Sequence, residues 1–157
     1  MNPGDFELIP WIGKTAKLIH IFMNDTLSRH EVDLTMQQWI VLFKLQQEDD
    51  LTQQELAIIT ERNKGSLTRL IDTLEKKNLV ARIPSAEDKR VNRILLTKQG
   101  TKVVEESKPF IQQAMSELQS GMSDEEIKKT IELMKIIQSN TKIEHKWRIQ
   151  FLEAGRE

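Results

Sequence analysis

Helical periodicity runs through nearly all of this chain and breaks in one place, between Leu79 and Thr97. Leu79-Val-Ala-Arg-Ile83 is short and β-branched, and Pro84 stops it. Ser85 to Arg90 is polar and turn-forming, and Val91 to Thr97 resumes an extended, apolar-rich character. Two short strands around a charged loop read as a β-hairpin. The loop is longer than a tight turn and carries Asp88, Lys89 and Arg90 at its far end, so it projects from the body. The fold class is therefore mainly α with a small β-hairpin.

The helices announce themselves through their starts. In a capping box a Ser or Thr side chain accepts a bond from a free backbone N–H, and a Glu or Gln three residues on bonds back. Thr35-Met-Gln-Gln38, Thr52-Gln-Gln-Glu55 and Ser123-Asp-Glu-Glu126 each fit, with Asp49–Asp50 as the polar connection between the first two helices. Upstream, Pro10 suits a first helical turn, and Ile12, Ala16, Ile19, Met23 and Leu27 follow at spacings of three or four. A further helix begins at Asn63 with Leu67, Leu70, Ile71 and Leu74 on one stripe, and Gly65, Arg69, Asp72 and Lys76 opposite. Asn78 follows its last turn, where Asn tolerates the left-handed conformation that ends helices. After Gly100 helical spacing returns through Val103–Leu118, crossed by Pro109, which should kink that helix or lie near its start. A last helix from Asp124 carries Ile127, Ile131, Met134 and Ile137, and its pattern continues to Ile143, Trp147 and Phe151.

Charge is distributed unevenly. The chain of 157 residues has a net charge of -1, which on its face argues against a nucleic-acid partner. Between Arg62 and Lys98, however, ten basic residues face only four acids, so a +6 segment sits beside a remainder of −7. Such a segment attracts phosphate locally whatever the total. With no cysteine there is no disulfide, thiolate metal site or thiol nucleophile. No apolar run approaches the roughly 18 residues of a membrane span, and the first residues lack the layout of a signal peptide, so the expected address is cytoplasmic with no membrane partner.

A helix over Thr52–Thr60, a turn, a helix over Asn63–Lys77 and a basic hairpin make a winged helix-turn-helix. Its second helix presents its N-terminal outer face to a major groove about 12 Å wide. The expected DNA-binding residues are Thr52, Gln53, Lys64, Gly65, Ser66, Thr68, Arg69, Lys89 and Arg90. Gly65 lets the backbone approach DNA, Thr68 offers a hydroxyl, and Arg69 offers a fork suited to guanine O6 and N7. Thr52 and Gln53 lie at a helix start suited to a phosphate. Arg90 at the hairpin tip suits an adjacent minor groove. Asp88 cannot attract DNA; it is expected to pair with an arginine and shape the wing.

At Leu67-Thr-Arg-Leu-Ile-Asp-Thr-Leu-Glu-Lys-Lys-Asn-Leu-Val-Ala-Arg82, followed by Asp88-Lys-Arg90 and Ile94-Leu-Leu-Thr97, the chain resembles the multiple-antibiotic-resistance regulator (MarR) family. The resemblance is close from about Thr52 to Gly100. It implies a homodimeric transcription regulator, usually a repressor, on a pseudo-palindromic double-stranded DNA operator. It also implies interlocked terminal helices, and small ligands between that layer and the DNA-binding lobe. On this reading the chain is one domain over residues 1–157, with a winged lobe at 34–100 and a helical dimerisation region at 5–33 and 101–157. Asn78 departs from the family's usual glycine, and the missing cysteine excludes the peroxide sensing of some relatives. Independently, Phe6, Trp11, Phe22, Phe110, Trp147 and Phe151 in the flanking helices exceed what the winged lobe can cover, which points to a dimer interface, with a larger monomeric core as the alternative.

Trp11, His20, Arg29 and Trp39 fall where a family-type pocket would be expected, with Arg29 facing a carboxylate and the indoles an aromatic ring. A small aromatic or anionic effector is the implied ligand; a core role for Trp39 and a surface role for Arg29 are the plainer alternative. His20, His30 and His145 are dispersed, so no metal or other cofactor is expected, and no nucleotide loop or nucleophile motif suggests an enzyme. The competing reading is a winged helix kept as a protein-interaction module without DNA binding.

Overall fold

The computed structural model describes residues 8–48, 50–86 and 88–141. Its elements are α1 (Leu8–Arg29), α2 (Met36–Gln47), β1 (Leu51–Thr52), α3 (Gln53–Ile59), α4 (Lys64–Lys76), β2 (Val80–Pro84), β3 (Asn92–Leu96), α5 (Lys98–Leu118) and α6 (Asp124–Thr141). All three capping boxes form. Gln38 N–H donates to Thr35 Oγ1 at 3.2 Å and Thr35 N–H to Gln38 Oε1 at 2.9 Å. Thr52 and Ser123 close the same reciprocal pairs with Glu55 and Glu126.

Helix ends are as specific as helix starts. After α4, Asn78 has φ 56, Leu79 N–H reaches Leu74 O and Asn78 N–H reaches Glu75 O. This pair of bonds satisfies carbonyls the helix leaves over. Glu31 and Glu61 take the same left-handed position after α1 and α3, at φ 57 and 52. Two inter-helix turns and one helix-to-strand turn thus run through non-glycine residues.

The hairpin is part of a three-stranded antiparallel sheet in the order β1-β3-β2. Val80 pairs with Leu96 and Pro84 with Asn92, so Pro84 occupies the last rung of β2. On the other edge Leu51 pairs with Ile94 and Thr52 with Arg93. The extra strand β1 is two residues long and leads straight into α3, which left no alternation to read.

One core joins the lobe to the flanking helices. Leu27, Leu42, Leu45, Leu56, Leu67, Ile71, Leu74, Ile94, Val104 and Ile111 are all essentially inaccessible to solvent. The Trp39 indole lies among them, stacked on Phe43, and its N–H donates to Ser107 Oγ at 2.7 Å. That hydroxyl in turn donates to Val103 O, so the buried indole nitrogen is satisfied.

Two elements stand apart. α1 buries only Met23, Thr26 and Leu27, and α6 buries nothing. Leu8, Ile9, Trp11, Leu18 and Ile21 of α1 and Leu133 and Ile136 of α6 are about half exposed or more. Phe6 and the stretch from Ile143 through Trp147 to Phe151 lie outside the described residues. No described helix is long and apolar enough to cross a membrane.

α5 begins at Lys98, ahead of the Val103 where its apolar spacing starts, because Thr97 caps it by accepting from Gly100 N–H at 3.0 Å. Pro109 sits well inside α5 rather than near its start. Gly100 is a contact glycine: a Cβ there would lie 2.1 Å from Leu79 O and 2.8 Å from Leu96 Cδ1. Gly100→Ala is expected to destabilise the fold by about 3 kcal/mol, since backbone must move to admit it. Urea denaturation of the variant against wild type measures this.

Candidate nucleic-acid interface

α3 and α4 meet through a four-residue connection, Thr60 to Asn63. Arg62 N–H bonds back to Ala57 O at 2.8 Å, and Asn63 caps α4 by accepting from Ser66 N–H at 2.8 Å. α4 buries Leu67, Leu70, Ile71 and Leu74 against the core, which turns Lys64, Gly65 and Arg69 outward. A Cβ at Gly65 would meet only Asn63 Oδ1 at 3.7 Å, so nothing in the fold requires glycine there.

Arg82 locks the wing to this helix. From the middle of β2 its guanidinium reaches Asp72 Oδ1 at 2.5 Å, Glu75 Oε2 at 2.6 Å and Thr68 O at 3.4 Å. Its backbone N–H also donates to Glu75 Oε1 at 3.2 Å. Both carboxylates that α4 carries are thereby neutralised on the helix flank nearest the sheet. Arg93 of β3 is likewise engaged by Asp50. By contrast, the side chains of Lys64, Arg69, Lys89 and Arg90 form no ion pair among the described residues, and all four are exposed. These four cations stand at the outer start of α4 and the wing tip.

The structure gives several expected residues different roles. Asp88 pairs with no arginine side chain among the described residues; its Oδ1 accepts from the Arg90 backbone N–H at 2.9 Å, and its carbonyl accepts from Val91 N–H. It shapes the wing through the backbone, as a short acidic side chain does in a turn. Thr52 is committed to its cap: Glu55 Oε2 accepts from both its N–H and its hydroxyl, at 2.8 and 2.7 Å. A carboxylate already occupies the place expected for a phosphate. Gln53 Nε2 donates to Thr68 Oγ1 at 2.7 Å, and that hydroxyl donates to Lys64 O, so the two side chains tie α3 to α4. Ser66 accepts from Arg62 Nη1 at 3.4 Å.

The four residues expected around an effector do not converge. Trp39 is a core residue, which is the plainer alternative. Trp11 and Arg29 stand on one helix eighteen residues apart, about 27 Å at 1.5 Å per residue, too far for one small ligand within a protomer. Arg29 pairs with Asp25 at 2.8 Å, His20 is exposed, and Trp11 is 62% exposed with Lys14 over its ring. His30 stacks on Phe110 with centroids 4.1 Å apart, its Nδ1 2.8 Å from Thr26 O. Among the described residues no group of three or more acidic, His or Cys side chains could hold a metal ion.

An open groove absent from the sequence reading runs along α4 on the flank away from Arg82. Gln37 at the start of α2 and Arg62, Ser66, Arg69 and Thr73 line it. Only the fold brings Gln37 and Thr73 together, so no local pattern marks it.

This geometry defines a winged helix-turn-helix lobe with an outward, basic second helix. The MarR family model matches residues 34–91, and the segment is similar to a MarR-family winged helix. A cysteine-to-serine mutant of MarR from E. coli, complexed with operator DNA, is 27% identical with a TM-score of 0.79, covering 85% of this chain and 95% of that one. Sco3205 from Streptomyces coelicolor, a MarR family transcriptional regulator in complex with DNA, is 22% identical with a TM-score of 0.81, covering 89% of each chain. BpsR of Bordetella bronchiseptica is 19% identical with a TM-score of 0.79, covering 88% and 97%. The described fold is that of MarR-family regulators, flanking helices included.

Two outcomes follow from this local geometry. Gly65→Ala is expected to stabilise the protein by about 0.5–1 kcal/mol through helix propensity, read as a raised urea midpoint at unchanged slope. Backbone and hydroxyl bonds from Thr52 hold the Glu55 carboxyl below the usual glutamate range. A lowered folded pKa means that this stabilisation is present above the unfolded value and fades as pH falls through the folded one. Glu55→Gln should therefore flatten the acid limb of a stability–pH profile and leave its neutral plateau sloping as before.

Proposed function

We propose that this chain is a DNA-binding transcriptional regulator that acts as a homodimer, represses by occupying a pseudo-palindromic operator, and works in the cytoplasm. The observation that carries the reading is the paired placement of unneutralised cations. Lys64 and Arg69 stand at the outer start of α4, Lys89 and Arg90 at the wing tip, and the intervening acids are consumed by Arg82. α4 then enters a major groove, with Gly65 and Ser66 closest to DNA, while the wing reaches the neighbouring minor groove. Gln53 and Thr68 support α4; Gln53 keeps a second amide N–H for a phosphate, and the Thr68 hydroxyl keeps only acceptor capacity, for a base-edge donor. Thr52 contributes by capping α3. Relatives of the same fold bound to DNA support this reading.

The homodimer is supported by the apolar side chains that α1 and α6 leave uncovered. Two-fold symmetry places half-sites about 34–36 Å apart. A small aromatic or anionic effector that releases DNA belongs to the same proposal. For BpsR, DNA binding is regulated by 6-hydroxynicotinic acid. In this chain such a site would use the partner subunit or the groove beside α4 rather than Trp39.

The test starts from a randomised 30-bp duplex pool, from which the wild type should enrich a two-fold symmetric sequence. Binding to it should fall steeply with salt, with a log–log slope of about −4 or steeper. Arg69→Ala is expected to lose about tenfold or more in affinity and to relax base choice at one position per half-site. Arg90→Ala should weaken all sequences alike. Gly65→Ala should bind less well although it is more stable, which separates contact from folding. Enrichment of nothing, with a shallow salt slope, would favour the protein-interaction alternative.

A further inference from the structure

The two flanks of α4 differ in kind. On the sheet side, Thr68, Asp72 and Glu75 are tied down by Gln53 and Arg82. On the α2 side, Ser66, Arg69 and Thr73 follow at helical spacing and border the open groove, whose far wall carries Gln37 and whose end carries Arg62. This lining contains two guanidinium groups and no carboxylate. Gln38, next to Gln37, is spent on the Thr35 backbone, whereas the Gln37 side chain bonds to nothing among the described residues. Arg62 is half-buried and lies 3.4 Å from Ser66 Oγ, so its guanidinium runs along the start of α4 instead of into bulk water.

A helix lying in a major groove has a sugar–phosphate strand on each side. The wing and α3 border one flank; the open groove borders the other. We propose that this groove holds the second strand of duplex DNA, with Arg62 gripping a phosphate from the end of the groove and Gln37 donating to the same or the next one from α2. This assignment rests on the DNA-binding reading and adds to it the residues that fix the tilt of α4. Arg62 and Gln37 set affinity and register, and Arg69 remains the base reader. An arginine suits the task because its planar fork stays charged and bonds two phosphate oxygens at once.

The experiment uses the full chain and the duplex enriched by the wild type. Arg62→Ala should lower affinity about tenfold and make the salt slope shallower by about 2, one phosphate per protomer. Its unfolding midpoint should stay unchanged, and repeat enrichment should return the same sequence. Arg62→Lys should recover most of the slope, and Gln37→Ala should cost about threefold with the slope unchanged. Ethylation interference on the outer strand of each half-site should disappear with Arg62→Ala. Wild-type affinity and slope in Arg62→Ala, with DNA binding intact, would overturn the groove assignment and leave the DNA reading standing. No enrichment by the wild type would sink both. A different sequence enriched by Arg62→Ala would make Arg62 a base reader and overturn the phosphate role. An Arg62-dependent thermal shift with 10 mM inorganic phosphate, combined with unchanged DNA binding, would assign the groove to a small anion instead.

Discussion

The guanidinium of Arg82 is the joint on which the working surface depends. It spans from β2 to two carboxylates and a carbonyl of α4, so the wing and the second helix of the motif share one frame. Its side chain is 20% exposed, and those of Asp72 and Glu75 are 47% and 40% exposed. Pairs so open to water are worth about 1 kcal/mol each or less. The value of the arrangement lies elsewhere. Without Arg82, two negative charges would stand on the helix meant to meet phosphate, and the hairpin would hold its place through the sheet alone.

That joint also sorts the charges. A +6 segment is only a total, and three of its ten cations are engaged internally: Arg82 by α4, Arg93 by Asp50, Lys77 by Asp33. Of the remaining seven, Arg62, Lys64 and Arg69 cluster at the start of α4 and Lys89 and Arg90 at the tip of the wing. The wing needs its own acid to hold that shape, and Asp88 does this without cancelling a side-chain charge, because it bonds the Arg90 backbone and leaves the guanidinium outward.

The parts of the fold legible in the sequence were those decided within four residues. A Thr or Ser three positions before Glu or Gln declares a helix start, and Asn78 declares a helix end, since each bond closes locally. The winged order followed because helix, turn, helix and hairpin are each local. The strand β1 was invisible: two residues carry no periodicity, and only β3 makes them a strand. The same limit applies at the interface. Thr52 and Gln53 look available in sequence because nothing marks Glu55 and Thr68 as their partners, while Trp39 looks available because Ser107 lies 68 positions away. The groove beside α4 needed α2 to be folded against it.

The lobe and the arms share one core, but α1 and α6 bury far less of themselves in it than the lobe does. Inside the lobe, α4 and the sheet bury a continuous set of aliphatic side chains, the strongest term available. α1 reaches that core through Met23, Leu27 and the partly buried Phe22, and polar contacts add to these. Asn24 Oδ1 accepts from Met36 N–H at 2.9 Å, and Lys77 Nζ bonds both the carboxylate and the backbone carbonyl of Asp33, in the segment after α1. The Lys77–Asp33 contact joins the end of α4 to the segment between α1 and α2, so the end of that helix is positioned by the arm as well as by its own lobe. Asp33 is 93% exposed on its side chain, which makes this the weakest of the connections. A reading head fixed by burial and hung on its arm partly by exposed polar bonds keeps its own shape when the arm shifts. Under the proposed dimer, the spacing of the two heads is therefore the adjustable quantity, and the shape of each head the constant one.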